Sequence, residues 1–527
     1  MRAIYLTFLG LLISCGPNVE RNSQNIDNAP RLVVVVTIDQ MRDDFFDIYG
    51  ANFQGGFRRI LDEGKRYENA WVDHAPTNSY PGHASIATGA YPKNHGFIDN
   101  SWKMREQGEW RRVYASDLMP HDCAPDGSGG EGSGLEVPTL GERVVGAGGK
   151  FISISASRSI ARIYAGKARA PVLWLSPEDD GFITSACHQA GLPSWAMTFN
   201  EQQLPDYVTG RWDLSVPENV LRTLRPDDSV FEGEGASASF PHIMPDDEEN
   251  ALNWFYDTPA ADEAALAFSL RAIEAEGIGQ DRIPDLLNIV INTIDNVGHR
   301  YGPLSVEQAD NLFKLDENLG AFMARLDELV GEDNWVLVLT GDHGAAPAPE
   351  SMPNQLTARR VTEDEVNQVI AAAYEAADQF AEGDPDRLRA AADAVESFDF
   401  VERVYIDDEV IEAAANGDET ASVYANSFIE GHYARHPFYD SNGKGLADLG
   451  LTPVLKEYVV VNWATSIHGS HYGYDREVPI IFYGAGVTPG RSDEFARTID
   501  ITPTLMELIG IQPMMPLDGR VLPVGVN

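Results

Sequence analysis

The sequence predicts an α/β fold, a doubly wound and mostly parallel sheet flanked by helices, with an inserted cap subdomain. The first observation is a set of three apolar, β-branched runs that each end on an aspartate: Leu32 to Asp39, Leu286 to Asp295 and Trp335 to Asp342. Such runs are typical of strands buried on both faces of a parallel sheet. The second observation is that helical patterns lie between the runs, and this alternation is typical of doubly wound folds.

The helices between the strands have recognisable first turns. Asp257 to Pro259 supply a cap and a first-turn proline for a helix predicted to run to about Glu276. Ser305 and Gln308 have the spacing of a capping box and predict another helix to about Leu329. Because ligands bind beyond the carboxyl ends of the strands in such folds, we expect the three aspartates to gather at that edge.

The second half of the chain is expected to leave the core and return to it. Two later runs, Tyr458 to Trp463 and Val478 to Tyr483, are predicted core strands, with a closing helix after Thr502. Before them lies an acidic, alanine-rich region that includes Glu363 to Glu382, which we interpret as an inserted subdomain with a solvated face. The expected organisation is a signal peptide at 1–14, a lipidated cysteine and tether at 15–30, core at 31–346, an acidic cap region at 347–456 and core again at 457–527.

Charge and composition exclude some classes of function. Of 527 residues, 39 are basic and 81 are acidic, which gives a formal net charge of -42. A chain of this charge repels a nucleic-acid backbone, so no nucleic-acid binding surface is expected. Hydrophobic residues at 43% and charged residues at 23% are typical of globular proteins and argue against a disordered or multi-span membrane protein.

The N-terminus predicts export. Arg2 precedes the apolar run Ala3 to Ile13, which has the layout of a secretory signal and is too short for a membrane span. Leu12 to Cys15 resembles a bacterial lipobox, so we expect a lipid anchor on Cys15 and a location in the periplasm or at the cell surface. The alternative is an ordinary signal peptide with an accidental cysteine. Cys123 and Cys187 then remain, either as a disulfide or as two free thiols.

Aspartate and histidine side chains at the predicted strand ends form a candidate metal centre. Carboxylate oxygen and imidazole nitrogen together suit zinc better than calcium or magnesium. Each residue alone could be a helix cap or a surface histidine, but their common placement favours two zinc ions with three protein ligands each. The six candidates are Asp39, Asp295, His299, Asp342, His343 and His468, the last within a His468 to His471 motif.

The segment Pro76 to Gly89, followed by Tyr91 to Asn100, carries a specific resemblance. It resembles the nucleophile segment of the nucleotide pyrophosphatase/phosphodiesterase branch of the alkaline phosphatase superfamily, which includes bacterial single-chain alkaline phosphatases. The resemblance implies that Ser79 is the nucleophile and that Asn100 binds a phosphoryl oxygen. It further implies one metal held by Asp39, Asp342 and His343 together with Ser79, and another held by Asp295, His299 and His468.

The chemistry agrees with this resemblance. A serine hydroxyl is a poor nucleophile at neutral pH, and coordination to zinc lowers its pKa. The resemblance implies a phosphoserine intermediate at Ser79, with charge on the phosphoryl oxygens shared by the Tyr80 backbone N–H and the Asn100 side chain. The alternative for Ser79 is a helix N-cap ahead of Pro81.

One departure from the family bears on the substrate. The monoesterases of this group carry a Lys-Asp-Arg triplet before an Ala-Gly pair, and alignment on Ala165-Gly166 places Ser157 to Ser159 there. Arg158 and Arg162 are the candidate replacements for these cations, which a dianionic monoester needs more than a diester does. We expect a small phosphate monoester as substrate. The alternatives are a phosphodiesterase or nucleotide pyrophosphatase, and a non-catalytic surface lipoprotein.

Overall fold

The computed structural model of the chain describes residues 29–106, 109–119, 134–156, 160–179, 181–233, 238–246, 248–406, 408–434, 438–440, 443–461, 464–513 and 515–525. The predictions made for the signal segment with Cys15, for Cys123 and for Arg158 lie outside these residues. Cys187 is disulfide-bonded.

A large central sheet organises the described part of the chain. Its nine strands are β1 (Leu32–Ile38), β2 (Lys65–Tyr67), β6 (Phe151–Ser155), β7 (Val172–Ser176), β8 (Gly181–Thr184), β11 (Asp285–Ile291), β12 (Trp335–Gly341), β18 (Ile480–Gly484) and β19 (Gly490–Ser492). Their order is β19-β2-β18-β12-β1-β11-β6-β7-β8. The five strands from β12 to β7 are mutually parallel, whereas β18 and β8 pair antiparallel with β12 and β7.

Smaller two- and three-stranded sheets surround the central one. Their strands are β3 (Ala70–Trp71), β4 (Ser101–Glu106), β5 (Glu109–Tyr114), β9 (Arg211–Trp212), β10 (His242–Ile243), β13 (Arg359–Val361), β14 (Val401–Ile406), β15 (His432–Ala434), β16 (Leu451–Leu455), β17 (Val459–Val461) and β20 (Ala496–Arg497).

Helices cover both faces of the central sheet. In the first half of the chain they are α1 (Asp44–Tyr49), α2 (Gly56–Glu63), α3 (Ser79–Thr88), α4 (Pro92–His95), α5 (Leu140–Gly146), α6 (Ile160–Ala165), α7 (Ser194–Gln202), α8 (Leu204–Tyr207), α9 (Glu218–Leu221) and α10 (Glu248–Tyr256). In the second half they are α11 (Pro259–Glu276), α12 (Thr293–Tyr301), α13 (Val306–Leu329), α14 (Glu363–Ala377), α15 (Pro385–Glu396), α16 (Glu409–Ala415), α17 (Glu419–Ala425), α18 (Gly473–Arg476) and α19 (Ile501–Leu508).

The central strands separate two apolar layers. In β1, Val34 and Val36 belong to one hydrophobic cluster and Val33 and Val35 to the other, because successive side chains point to opposite faces. All seven residues of β1, β11 and β12 are buried. The predicted doubly wound α/β fold is therefore confirmed. Among the described residues, no helix is both long and apolar enough to cross a membrane.

The predicted helices of the core are confirmed, with one difference at a cap. α11 ends at Glu276 and α13 at Leu329, and α19 follows as the closing helix. The Ser305 hydroxyl accepts from the Gln308 backbone N–H as a cap does. The Gln308 side chain does not return to the cap, since its amide donates to the Ile294 carbonyl and ties α13 to α12.

Two strand predictions are wrong in part. The run ending at Asp295 is a strand only as far as Ile291, and Asp295 lies in the first turn of α12. The buried Asp262 carboxylate explains the early end, because it accepts from the Asn292 backbone N–H and the Thr293 hydroxyl and so starts the helix.

Of the run Tyr458 to Trp463, the described residues 458–461 do not enter the central sheet. Residues Val459–Val461 form β17, which pairs in parallel with β13. The place beside β12 is taken by β18. β17 packs instead with α14, α15 and β14 in a separate apolar cluster formed largely by the inserted region. A short valine run has the same pattern in either sheet, so periodicity could not assign it.

Candidate active site

Three neighbouring strands bring the candidate ligands to one edge of the sheet. Asp39 directly follows β1, and Asp342 and His343 directly follow β12. The helix α12, which follows β11, carries Asp295 and His299 one turn apart. His468 comes from the loop between β17 and α18. Donor atoms within 4.8 Å of one another form two groups in the described structure, Asp39/Asp342/His343 and Asp295/His299/His468.

The first group is fully buried and has the dimensions of a metal site. His343 Nε2 lies 3.5 Å from Asp39 Oδ1 and 3.4 Å from Asp342 Oδ2. Tetrahedral zinc with bonds of about 2.1 Å places its ligand atoms about 3.4 Å apart. Both of those oxygens are buried without a hydrogen-bond partner among the described residues. Buried carboxylate oxygens left in this way fit a cation.

The other oxygen of each carboxylate is held by the fold. Asp39 Oδ2 accepts from the Asn292 side-chain amide at 3.1 Å. Asp342 Oδ1 accepts from the backbone N–H groups of Gln40 and His343, at 3.1 and 3.0 Å. Each side chain is thus oriented through one oxygen and presents the other to the site.

The second group is more accessible. His299 Nε2 lies 3.2 Å from Asp295 Oδ1, and His468 Nε2 lies 3.9 Å from the same oxygen. Asp295 and His299 are partly exposed, whereas His468 is buried. The ligand spacing again fits zinc, and the partial exposure leaves room for a substrate.

The three histidines share one orientation. In each ring Nδ1 lies within hydrogen-bond distance of a backbone carbonyl, which can only accept, so Nδ1 carries the proton. The carbonyls belong to Ser466, Gly344 and Thr77 for His299, His343 and His468, at 2.7, 3.0 and 2.8 Å. The Nε2 atoms therefore keep a free lone pair with which they could bind a metal ion.

The electrostatics of the site also favour bound cations. Burial, reinforced by the other site carboxylates, raises the pKa of Asp39 and of Asp342 well above the ordinary value. Burial lowers the pKa of His343 to about 3, which keeps this imidazole neutral. Burial alone would lower the pKa of His299, but the adjacent Asp295 carboxylate outweighs it and raises that pKa to about 9. Without bound cations, the raised pKa values favour protonated Asp39 and Asp342, and the Asp295 carboxylate is balanced by a protonated His299.

Ser79 lies at the first position of α3, next to the first group. Its Oγ is 3.3 Å from His343 Nε2. The N-cap of α3 is Asn78, so Ser79 does not serve as the cap. The N-terminus of this ten-residue helix adds a favourable potential for an anion. Gly82 lets the helix approach closely, because a Cβ atom there would lie 2.5 Å from the carbonyl oxygen of Asp342.

Tyr80 and Asn100 are linked by a hydrogen bond. The Tyr80 backbone N–H donates to Asn100 Oδ1 at 3.0 Å, and the Asn100 backbone N–H donates to Asp99 Oδ1 at 2.7 Å. The Tyr80 N–H is thus engaged in orienting Asn100, whose Nδ2 is the donor end of the amide. A cavity of about 270 Å³ joins these elements and is lined by Asn78, Ser79, Asp99, Asn100, Ser101, Asp295, His299, Tyr439 and His468.

Arg162 lies on α6 and is not among the residues that line this cavity. It is nine-tenths buried, and its guanidinium carbon stands 5.8 Å from the ring centre of Trp174. Burial lowers the pKa of Arg162, and the phenol of Tyr80, the neighbour of Ser79, interacts with it electrostatically. His471 is in neither metal group in the described structure, and its ring packs on Tyr472 at 4.1 Å.

Two residues that the sequence analysis did not single out contact the ligands. Gln40 bonds to both Asp342 and Asp295. His83 Nε2 lies 3.3 Å from Asp342 Oδ2, and its Nδ1 bonds to the Tyr164 hydroxyl. His83 is four residues after Ser79, a spacing that places both side chains on one helix face and could have indicated its role. Nothing in the local sequence marks Gln40.

Comparisons with known proteins identify a family and several relatives. A family model described as type I phosphodiesterase / nucleotide pyrophosphatase matches residues 33–475. Alkaline phosphatase PhoV of Synechococcus elongatus is 29% identical over 524 residues, which cover 94% of this chain and 92% of the relative. Alkaline phosphatase PafA of Elizabethkingia meningoseptica is 27% identical over 533 residues, which cover 96% of both chains.

Solved structures show the same architecture. The structure of wild-type alkaline phosphatase PafA matches with a TM-score of 0.79 at 26% identity, over 92% of this chain and 96% of that one. A PafA mutant substituted at a threonine, an asparagine, a lysine and an arginine matches equally well. Murine ectonucleotide pyrophosphatase / phosphodiesterase 5, at 14% identity and a TM-score of 0.53, shares the fold.

Proposed function

Because the chain belongs to the type I phosphodiesterase / nucleotide pyrophosphatase family, we propose that it is a zinc-dependent hydrolase of phosphate monoesters with Ser79 as nucleophile. The observation that carries this proposal is the position of Ser79 Oγ, 3.3 Å from His343 Nε2 in the first metal group and in one cavity with the second group. A nucleophile shared between two groups of metal ligands suits in-line displacement at phosphorus.

Each residue has a stated task in this proposal. Two zinc ions, one in each group, would supply the positive charge that stabilises the attacking and leaving oxygens. In the first step the Ser79 hydroxyl gives its proton to solvent and its oxygen bonds to phosphorus, while the bond between phosphorus and the ester oxygen breaks and the alcohol leaves after taking up a proton. Water then attacks phosphorus, breaks the bond to Ser79 and releases inorganic phosphate, which restores the serine. The Asn100 Nδ2 group, oriented by the Tyr80 N–H, donates to a phosphoryl oxygen, and the N-terminus of α3 stabilises its charge.

The names of the relatives support a monoester substrate. PhoV and PafA are both named alkaline phosphatases. The PafA mutant is substituted at a threonine, an asparagine, a lysine and an arginine. In this chain Ser79 and Asn100 offer a hydroxyl and an amide beside the metal groups, and we propose Arg162 as a cation that binds the phosphoryl group, with Arg158 as a second candidate.

A phosphodiesterase is the second candidate function. The family description and the absence of a Lys-Asp-Arg triplet at 157–159 favour it. Arg162→Ala and Arg162→Lys distinguish the two candidates. For a monoesterase, loss of the cation should lower kcat/KM for a monoester far more than for a diester, since the dianion gains more from it, and lysine should restore part of the loss. Equal effects on both esters would favour the diesterase.

The direct test compares purified protein on p-nitrophenyl phosphate and bis-p-nitrophenyl phosphate, before and after treatment with a chelator. We expect hydrolysis chiefly of the monoester, loss of activity with the metal, and recovery when zinc is returned. Elemental analysis should find about two zinc ions per chain. A protein without bound transition metal and without activity on either ester would leave the non-catalytic surface lipoprotein as the better description.

We further propose that the mature chain begins at a lipidated Cys15 and is tethered to a bacterial membrane. The lipobox-like Leu12 to Cys15 supports this. In the Cys15→Ser variant, metabolic labelling with a fatty acid should disappear and the protein should leave the membrane fraction. A Cys15→Ser protein that is processed and membrane-bound as before would contradict the anchor.

A further inference from the structure

Gln40 occupies an unusual position between the two metal groups. It follows Asp39, is fully buried, and has a φ of 64°. Among the described residues, Gln40 and Tyr458 are the two non-glycine residues with positive φ. This left-handed conformation is unfavourable for a residue with a Cβ atom, and where it persists the surrounding contacts hold it in place.

The contacts of Gln40 reach one carboxylate of each group. Its backbone N–H donates to Asp342 Oδ1 at 3.1 Å, and its side-chain Nε2 donates to Asp295 Oδ1 at 2.6 Å. The left-handed turn makes both contacts available from a single residue. Gln40 thus connects β1, the end of β12 and the first turn of α12 at the point where the two groups meet.

Gly298 on α12 faces the Gln40 side chain and leaves room for its amide group. A Cβ atom at Gly298 would lie 1.8 Å from Gln40 Oε1 and 2.8 Å from Gln40 Cδ. Gly298 lies within α12, directly before the ligand His299, where glycine lowers helix stability relative to alanine. The space that glycine leaves in α12 is therefore filled by the Gln40 amide.

We propose that Gln40 is a positioning residue that fixes the Asp295/His299/His468 group relative to the Asp39/Asp342/His343 group, and that Gly298 is the complementary half of this device. The inference rests on the proposed function, since it concerns the same two metal sites. Gln40 itself binds neither metal nor substrate. It acts by holding Asp295 Oδ1 and Asp342 Oδ1 at a fixed separation.

The first experiment is Gln40→Gly in the full chain. Glycine adopts the left-handed turn without strain, so a residue needed only for the turn could be replaced without loss. Loss of an outer contact to a ligand typically weakens metal binding or activity by about 10- to 100-fold. In competition titrations with a zinc chelator, we expect one of the two zinc ions to bind about 10- to 100-fold more weakly.

The matched control is Tyr458→Gly, the same change at the other left-handed residue, which lies next to β17. It should leave both zinc affinities unchanged. Equal weakening in Tyr458→Gly and Gln40→Gly would show a general loss of stability and would overturn the inference.

The second experiment is a double-mutant cycle with Gly298→Ala. In the wild-type background the added methyl group displaces the Gln40 amide, so zinc binding should weaken as in Gln40→Gly. In the Gln40→Gly background the space is free, and Gly298→Ala should have little further effect or should raise the melting temperature, because alanine favours helix. Such strong non-additivity identifies a direct interaction.

The outcomes separate this inference from the proposed function. Wild-type protein that binds no zinc contradicts the proposed function. If the wild-type protein binds two zinc ions and the Gln40→Gly variant binds both as tightly, the proposed role of Gln40 is wrong, whereas the proposed function is not contradicted. Additive effects of Gln40→Gly and Gly298→Ala on zinc affinity would overturn the role of Gln40 as well.

Discussion

At the scale of single residues, five of the six candidate ligand side chains use one polar atom to bond to the fold and present another to the site. The histidines bind backbone carbonyls through Nδ1, and Asp39 and Asp342 each accept a hydrogen bond through one oxygen. The remaining atom of each side chain points to its partners in the metal group. Rotamers fixed in this way preorganise the site, because little reorganisation is then needed when a cation or a substrate binds.

The nucleophile gives the first prediction at this scale. Ser79→Ala should keep the fold and both metals, and should lower kcat by roughly 10³-fold or more, since it removes the attacking atom and not ground-state binding. Ser79→Thr retains the hydroxyl and should keep measurable activity. Steady-state kinetics and metal analysis check this. Near wild-type turnover in Ser79→Ala would show that Ser79 is not the nucleophile.

Asn100 supports a milder prediction. Removing one donor to the phosphoryl oxygens by Asn100→Ala should lower kcat/KM by about 10²- to 10³-fold, or roughly 2.7 to 4 kcal/mol. Asn100→Asp keeps the size of the side chain but replaces Nδ2 with an oxygen. This variant should lower kcat/KM for a phosphate ester at least as much as Asn100→Ala does. Activity of Asn100→Asp above that of Asn100→Ala would contradict a donor role.

At the scale of elements, the close contact between α3 and the end of β12 places Ser79 beside His343 of the first candidate metal group. Gly82 makes this contact possible. Gly82→Ala brings a Cβ atom to 2.5 Å from the Asp342 carbonyl oxygen and should force the helix away. We expect a loss of about 1 to 3 kcal/mol in the free energy of unfolding, by the usual cost of overpacking, and a lower kcat.

A glycine in open surroundings serves as the control for Gly82→Ala. A Cβ atom at Gly210 would come no closer than 3.9 Å to its nearest neighbour, Met244 Cε. Gly210→Ala should therefore leave denaturant unfolding and kcat unchanged. If Gly82→Ala also leaves denaturant unfolding and kcat unchanged, α3 packs less closely against the end of β12 than the structure indicates.

The elements also show which parts of the structure could be predicted from the sequence and which could not. β1 and β12 were predicted because a strand buried on both faces needs an apolar side chain at nearly every position. The end of β11 was not predicted, because Asp262, some thirty residues earlier, decides where α12 begins. Asp39, Asp342 and His343 could be predicted as candidate ligands because they directly follow strands, whereas the contacts of Gln40 depend on a left-handed turn and on Gly298, which only the folded chain brings together.

At the scale of the whole molecule, buried carboxyl groups make stability depend on pH. Burial raises the pKa of Asp262 and of Asp475 from 3.8 to about 7, and it raises the pKa of Asp39 and Asp342. A group whose pKa is raised by folding contributes stability that is fully present below its unfolded pKa. That stability is lost as the pH rises through the folded pKa.

These four groups make the metal-free protein lose stability as the pH rises from about 4 to about 7, whereas the buried His95, whose pKa burial lowers to about 3, acts in the opposite sense. In the metal-loaded protein, cations replace the protons of Asp39 and Asp342 and remove their share of this loss. We expect the difference in melting temperature between loaded and chelator-treated protein to be larger at pH 8 than at pH 5. Circular dichroism at both pH values measures it, and an equal or smaller difference at pH 8 would contradict the prediction.

The origin of the ligands along the chain has a consequence for folding. Asp39 and Asp342 lie about 300 residues apart in the sequence, and His468 lies about 170 residues after His299. A cation bound to either group would therefore act as a cross-link that closes a long loop. Long loops lose much conformational entropy on closure, so such a cross-link restricts the unfolded ensemble strongly. The second group is complete only when His468 joins Asp295 and His299, so a metal ion bound there would hold these distant segments of the chain together.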